Sequence, residues 1–319
     1  MSGTTDLKCS YSIVLMTYNQ ADYVADAVHA LLAQDCAPLE ILISDDCSTD
    51  DTFDIVQDAV RGYEGPHRIV LNRNPKNLGV NRHIKKCYDL STGEVIIATS
   101  GDDICYPNRA ARTIEVFETQ APLLAFSQAR VETFDGQEMP RNYQKATLYS
   151  RQDALSAAVS MQLYLGATCA WHKDLFRKYG PIAYDNCYED LIFGFRAALE
   201  KRIAFIDEDL VSYRLGAGLT SSASRYTTPE AYQAKRARDI QREISVLRQR
   251  RDDGRLFGLR ADDPIMRTIE RRLVDRELRH TYVTGGAGAL CRQGWRRPLG
   301  ILGALVSEQR RHRKARRNR

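Results

Sequence analysis

The chain has 319 residues, 43% apolar and 27% charged, with a net charge of +5, the proportions of a soluble globular protein. No apolar run reaches the roughly 20 residues that a membrane-spanning helix needs, and the eight scattered cysteines form no C-x-x-C pair, which argues against zinc and disulfide frameworks and for reduced thiols in a cytosol. Ten Lys/Arg and one acid fall between Cys291 and Arg319, a local +9 that leaves the other 290 residues at −4, so anionic partners belong to the tail.

Ser12–Met16 (SIVLM) follows no basic segment and no evident cleavage site, and reads as a core strand, not a signal peptide. Asp22–Gln34 spaces Tyr23, Ala27 and Leu31 as one helix face. A second strand is expected at Leu39–Ser44, a helix at Asp51–Val60, a third strand at Arg68–Leu71, a helix at Val80–Leu90 and a fourth strand at Glu94–Thr99. Strands alternating with helices predict an α/β fold with a mostly parallel sheet covered on both faces. Three polar clusters then meet at its carboxyl edge: Thr17-Tyr18-Asn19, Asp45–Asp50 and Gly101-Asp102-Asp103. Ser48 or Asp50 could cap the following helix, which leaves Asp45 and Asp46 unexplained. Adjacent Asp102 and Asp103 would repel unless a cation or hydrogen-bond donors offset them.

Four blocks in order, SIVLMTYNQADYVADAVHALLAQ, LEILISDDCSTDDT, NPKNLGVNRHIKKCYDLSTGEVIIATSGDD and YEDLIFGFRAAL, resemble the family 2 glycosyltransferases, inverting enzymes of the GT-A (Rossmann-like) fold. The resemblance covers about residues 11–215 and implies a nucleotide-sugar donor across the carboxyl edge of the sheet. Thr17 and Tyr18 would touch base and ribose, and Asp46 would accept from a base N–H such as a pyrimidine N3–H. Asn19, Asp45, Ser100 and Gly101 fall in the same donor-binding blocks; Asn77 and Gly79 belong to a loop close to the donor, and Arg82 is a diphosphate candidate or a solvated helix residue. Asp102 and Asp103 stand at the family's D-x-D motif, which implies Mg²⁺ or Mn²⁺ against the diphosphate, although Ser100 replaces the first acid and would bond the ribose or contribute nothing. Asp190 would be the catalytic base with Glu189 orienting it or the acceptor; two acids in a helix's first turn also simply suit its dipole. Arg196 would neutralise Asp190 or be surface charge. Tyr213-Arg214-Leu215-Gly216 departs from the family's Y-R-x-H, which would shift a phosphate role to Arg214 or to Thr220, Ser221 and Ser222. Trp171 and His172 would lie near the acceptor, Trp171 more simply as a core aromatic.

The expected domains are a catalytic unit over residues 1–224, a helical extension over 225–290 and a basic amphipathic tail over 291–319. Ile240, Ile244 and Leu247, then Ile265, Ile269 and Leu273, mark two helices that pack on the catalytic body or pair two subunits. Thr284–Gly288 reads as a break. Seven Lys/Arg within Arg310–Arg319, beside an apolar Leu299, Leu302, Leu305 and Val306 face with Trp295 at its end, suit an interfacial helix on an anionic membrane, against a disordered end or nonspecific nucleic-acid contact. The resulting expectation is metal-dependent hexosyl or N-acetylhexosaminyl transfer, probing UDP-sugars first, to a surface glycan such as lipopolysaccharide or a lipid-linked saccharide. The site would be the inner face of a bacterial plasma membrane, with no specific nucleic acid. The alternative is a non-catalytic nucleotide-sugar-binding scaffold, which Asp102, Asp103, Glu189 and Asp190 together count against.

Overall fold

A computed structural model describes residues 11–184, 186–215, 228–294, 303 and 306–308. Residues 216–222, with the Gly216, Thr220, Ser221 and Ser222 expectations, lie outside these, as does most of the basic tail.

The first half alternates strand and helix: β1 (Tyr11–Thr17), α1 (Val24–Leu32), β2 (Glu40–Asp45), α2 (Thr52–Val60), β3 (Arg68–Arg73), α3 (Val80–Leu90) and β4 (Val95–Ser100). It continues with β5 (Ile104–Cys105), α4 (Arg109–Gln120), β6 (Leu124–Thr133), α5 (Ala154–Val159), β7 (Ala170–His172), α6 (Asp174–Tyr179), α7 (Glu189–Glu200) and β8 (Ile203–Leu215). Two long helices follow, α8 (Pro229–Phe257) and α9 (Pro264–Gly294). The expected break is real: Gly286 is non-helical, at φ 70°, in the left-handed region open to glycine.

The eight strands form one sheet in the order β3-β2-β1-β4-β7-β6-β8-β5. The β3-β2-β1-β4 half is parallel, whereas β7 runs antiparallel to both β4 and β6, and β5 to β8. The sheet is therefore mixed. Its parallel half has continuous apolar runs because alternate residues enter different layers. Ile13, Leu15, Ile41, Ile43 and Ile97 pack with α1, α2 and α4 on one face. Val14, Leu42 and Ile96 pack with α3, α6 and α7 on the other.

That second layer also contains Ile240, Ile244, Leu247, Ile269 and Leu273 of α8 and α9. Packing on the catalytic body, one of the two arrangements left open by the sequence, is thus present. Arg196 of α7 neither neutralises Asp190 nor sits at the surface. It is fully buried against Asp253 of α8 at 2.9 and 3.0 Å, with both side chains 0% exposed.

Register aligns the chemistry. Thr17 pairs with Asp45, and Met16 with both Ser44 and Ser100, so the loops after β1, β2 and β4 emerge side by side at the carboxyl edge, where open α/β sheets bind ligands.

Candidate active site

Those loops are stitched together before any ligand arrives. Asn19 N–H donates to Ser48 Oγ at 2.9 Å, Thr49 N–H to Asn19 Oδ1 at 2.8 Å, and Gln20 N–H to Thr52 Oγ1 at 2.7 Å. Asp50 accepts from Thr52 N–H at the start of α2, the capping role weighed for it. Asp45 is fully buried behind this wall, accepting from Ser48 N–H, from the Ser48 hydroxyl and from Thr17 Oγ1, with Arg73 at 3.6 Å. It shapes the turn and does not line the cavity.

Asp46 does line it. Its Oδ1 accepts from Asn74 Nδ2 at 2.8 Å and Leu78 N–H at 2.9 Å, and its Oδ2 from Gly79 N–H at 2.9 Å. Each carboxylate oxygen carries about two acceptor positions, so one direction on Oδ2 stays open to a ligand. Gly79 reaches this bond with φ 76° and ψ 160°, a conformation essentially confined to glycine, where a side chain costs about 1–3 kcal/mol. Gly79→Ala is expected to weaken nucleotide binding about tenfold by calorimetry while the melting temperature falls by a few degrees.

A cavity of about 1070 Å³ opens at this edge. Its wall includes Thr17, Tyr18, Asn19, Asp46, Asn77 and Gly79 at one end, Ser100, Asp102 and Asp103 at the β4 turn, and Glu189 and Asp190 at the start of α7. Three expected donor residues stand elsewhere besides Asp45. Gly101 is buried behind the turn, where a Cβ would come within 2.5 Å of Gln20 Oε1. Arg82 is exposed on α3. The Arg214 side chain turns to Asp26 at 3.2 Å, while its backbone N–H reaches Asp103 Oδ1 at 3.4 Å. Trp171 is a core aromatic, packed on Phe176 and Phe193, whose edge also reaches the cavity.

At the β4 turn, the Ser100 hydroxyl donates to Asp102 Oδ1, which also accepts from Gln20 Nε2 at 3.2 Å. Ser100, standing where the family has an acid, therefore orients Asp102. Burial and the charge of Asp102 push Asp103 well above the usual carboxylate range, against the Arg214 N–H, Arg109 and Arg214. Among the described residues no three His, Cys, Asp or Glu side chains converge. The donors here are all hard oxygens, and Gln20 Oε1 is buried with no hydrogen-bond partner. This set fits a divalent cation that completes its shell with phosphate and water, as Mg²⁺ and Mn²⁺ do.

At the other end, burial and then the Glu189 charge push the Asp190 carboxyl up to about 7, opposed by Leu191 N–H at 2.8 Å and by Arg250. Burial also raises Glu189. A carboxyl poised near neutrality can take a proton from a hydroxyl. Tyr164, Gln20, His83 and Arg250 were not anticipated. Gln20 lay in the quoted TYNQAD block, and His83 in the NRHIKK block, bonding Ser44 at 2.8 Å; Tyr164 and Arg250 had no local signal. Among the described residues the buried Tyr164 hydroxyl has no partner better than the weakly bonding Cys169 thiol. Such a group costs about 1–3 kcal/mol, so Tyr164→Phe is expected to keep or raise the unfolding midpoint in denaturant.

Residues 12–180 match the family model for glycosyl transferase family 2. The putative teichuronic acid biosynthesis glycosyltransferase TuaG of Bacillus subtilis is 26% identical over 155 residues, 49% of this chain and 60% of that protein. An uncharacterized glycosyltransferase of Nostoc sp. is 30% identical over 108 residues, 34% of this chain and 33% of that one. The chain thus spans between a third and three fifths of the length of these curated relatives. S. aureus TarS 1-349, solved in complex with UDP-GlcNAc, superposes with a TM-score of 0.58 at 18% identity, covering 93% of this chain and 79% of that one. Mannosyltransferase PcManGT from Pyrobaculum calidifontis, solved with GDP-Man and Mn²⁺, gives 0.57 at 15% identity, covering 96% and 82%. These likenesses show a shared fold. With the family model spanning more than half of its length, the chain belongs to glycosyl transferase family 2.

Proposed function

We propose that this chain is an inverting, metal-assisted glycosyltransferase that moves a sugar from a nucleoside diphosphate, with UDP the first candidate, to a hydroxyl of a growing surface glycan or its lipid carrier. The observation that carries the reading is one cavity joining Asp46 and Gly79, the Asp102-Asp103 turn and Asp190. Tyr18 and Thr17 face the base and ribose, and the open direction on Asp46 Oδ2 accepts the N3–H of a pyrimidine. Asp102, held by Ser100 and Gln20, and Asp103 face the diphosphate. The chemistry a divalent cation supplies there when bound is neutralisation of charge on the departing diphosphate. Asp190 takes the proton of the acceptor hydroxyl as that oxygen attacks the anomeric carbon from the side opposite the leaving group, which inverts configuration; Glu189 orients the pair.

The reading is tested by offering UDP-Glc, UDP-GlcNAc, dTDP-rhamnose and GDP-Man with methyl glycosides of glucose, galactose, mannose and N-acetylglucosamine, in Mn²⁺ or in chelator. Release of one nucleoside diphosphate that chelator suppresses, with an inverted anomeric centre by NMR, is expected. Turnover with retained configuration contradicts the mechanism, and no turnover with any pair contradicts the reading.

Supporting a peripheral place at an anionic membrane are the seven Lys/Arg within Arg310–Arg319. Among the described residues no helix is long and apolar enough to cross a membrane. Deleting residues 310–319 is expected to release the protein from phosphatidylglycerol vesicles in a flotation assay and to leave transfer to a methyl glycoside unchanged; unchanged flotation contradicts the anchor.

A further inference from the structure

Arg250 of α8 is 0% exposed, and among the described residues it hydrogen-bonds to backbone carbonyls. Its guanidinium donates to Leu191 O at 2.8 and 3.1 Å, to Ser160 O at 2.7 Å and to Ala158 O at 3.2 Å. A full charge buried this way is expensive, and neutral donors could brace three carbonyls as well. The charge itself therefore needs a reason. Leu191 is the residue after Asp190, and the electrostatic partners of Arg250 include Asp190 and Asp253, of which Asp253 is already matched by Arg196.

We propose that Arg250 is a positioning residue for the transfer reaction: it fixes the first turn of α7 against the end of α5 and supplies the positive charge that lets Asp190 work as a carboxylate in the buried wall of the cavity. Among the described residues, the titratable groups within electrostatic reach of Asp190 are Glu189 on its own helix, Tyr164 and Cys169 on the segment after α5, and Arg250. Burial raises both Tyr164 and Cys169 and keeps them neutral, and Glu189 works against ionisation of Asp190. Arg250 is thus the cation among these four. It lies seventy residues beyond the part of the chain that matches the family model, so the base of this reaction is governed by the C-terminal helices.

The proposal rests on the glycosyltransferase reading, and the test separates the two. Arg250→Gln keeps donors without the charge; Arg250→Lys keeps the charge with fewer donors. With the nucleotide sugar and methyl glycoside that wild type turns over, the acid limb of the kcat profile is expected to move up by about one pH unit or more in Arg250→Gln and to stay within about 0.3 unit of wild type in Arg250→Lys. Calorimetric affinity for the free nucleoside diphosphate should stay within about twofold in both. A brace without electrostatic function would lower the melting temperature of both variants and leave the limb in place, which overturns the proposal. If wild type turns over no sugar, the glycosyltransferase reading has failed, and unfolding decides for Arg250. Asp190→Asn and Arg250→Gln, singly and together, should then be non-additive at pH 8 and closer to additive at pH 5; additivity at both overturns it.

Discussion

Asp190→Asn is expected to lower kcat by about 10²–10⁴-fold and to leave the affinity for nucleoside diphosphate unchanged by calorimetry. The amide fits the same space but cannot accept the proton of an attacking hydroxyl, and the nucleotide end of the cavity at Asp46 and Gly79 is built from other elements. Lost nucleotide affinity would move Asp190 from the proton transfer to donor binding. The pH dependence is equally specific. With the Asp190 carboxyl pushed up to about 7 by burial and Glu189, kcat should rise with pH through a limb near 7. Stability runs the other way. This carboxyl ionises near its ordinary value in the unfolded chain and only near 7 in the folded one, so folding takes up a proton between these limits. Its stabilising contribution is present at low pH and is lost as pH rises through 7. Denaturant titrations from pH 4 to 8 should show that decline in wild type and a shallower one in Asp190→Asn.

The largest effect on stability is expected from Asp253→Ala, about 3–5 kcal/mol in a denaturant titration. Among the described residues it leaves the wholly buried Arg196 guanidinium with the Gly180 carbonyl at 2.9 Å and the Tyr179 ring, and no carboxylate. It also strips Gln249 Nε2 of its acceptor at 2.9 Å, and Gln249 holds the loop before α7 through Ala183 N–H at 2.8 Å. Replacing Arg196 and Asp253 together, by Met and Leu, should cost much less than Asp253→Ala alone, because no uncompensated charge stays buried. A cost below about 1 kcal/mol for Asp253→Ala would mean that Arg196 finds water, and that α8 is less firmly seated than its packing indicates.

The same ion pair marks where sequence reading stops. The first four strands and the three helices between them were legible because β1, β2 and β4 are apolar runs buried on both faces, β3 is a short apolar run at the sheet edge, and each helix repeats its apolar residues with period 3.6. The carboxyl edge was legible for the same reason, since parallel strands in register bring Thr17, Asp45 and Ser100 to one line. The second half gave no such signal. β7 has three residues, β8 carries Asp207-Glu208-Asp209 in its middle, and the β6–β8 pairing shifts register around Gln128. Arg196, Arg250 and Asp253 look like surface charge in any local window, and their burial depends on contacts 57 or more residues apart. For the site, the carboxylates were recognisable as residue types at a sheet edge. What orients them was not: Ser100 and Gln20 act on Asp102, Asp45 turns inward, and Arg250 holds the Leu191 carbonyl next to Asp190 from outside the motif blocks.

The central claim, that the Asp46-to-Asp190 cavity is a nucleotide-sugar site with an ion at the Asp102-Asp103 turn, is tested most directly by the melting temperature with UDP, GDP, dTDP and CMP, each with Mn²⁺ and with chelator. A ligand that binds only the folded state raises the midpoint by mass action. A rise with one nucleotide, UDP first, that chelator abolishes in wild type and that Asp102→Asn no longer shows is the predicted result. An unchanged midpoint with all four nucleotides in Mn²⁺ would contradict it.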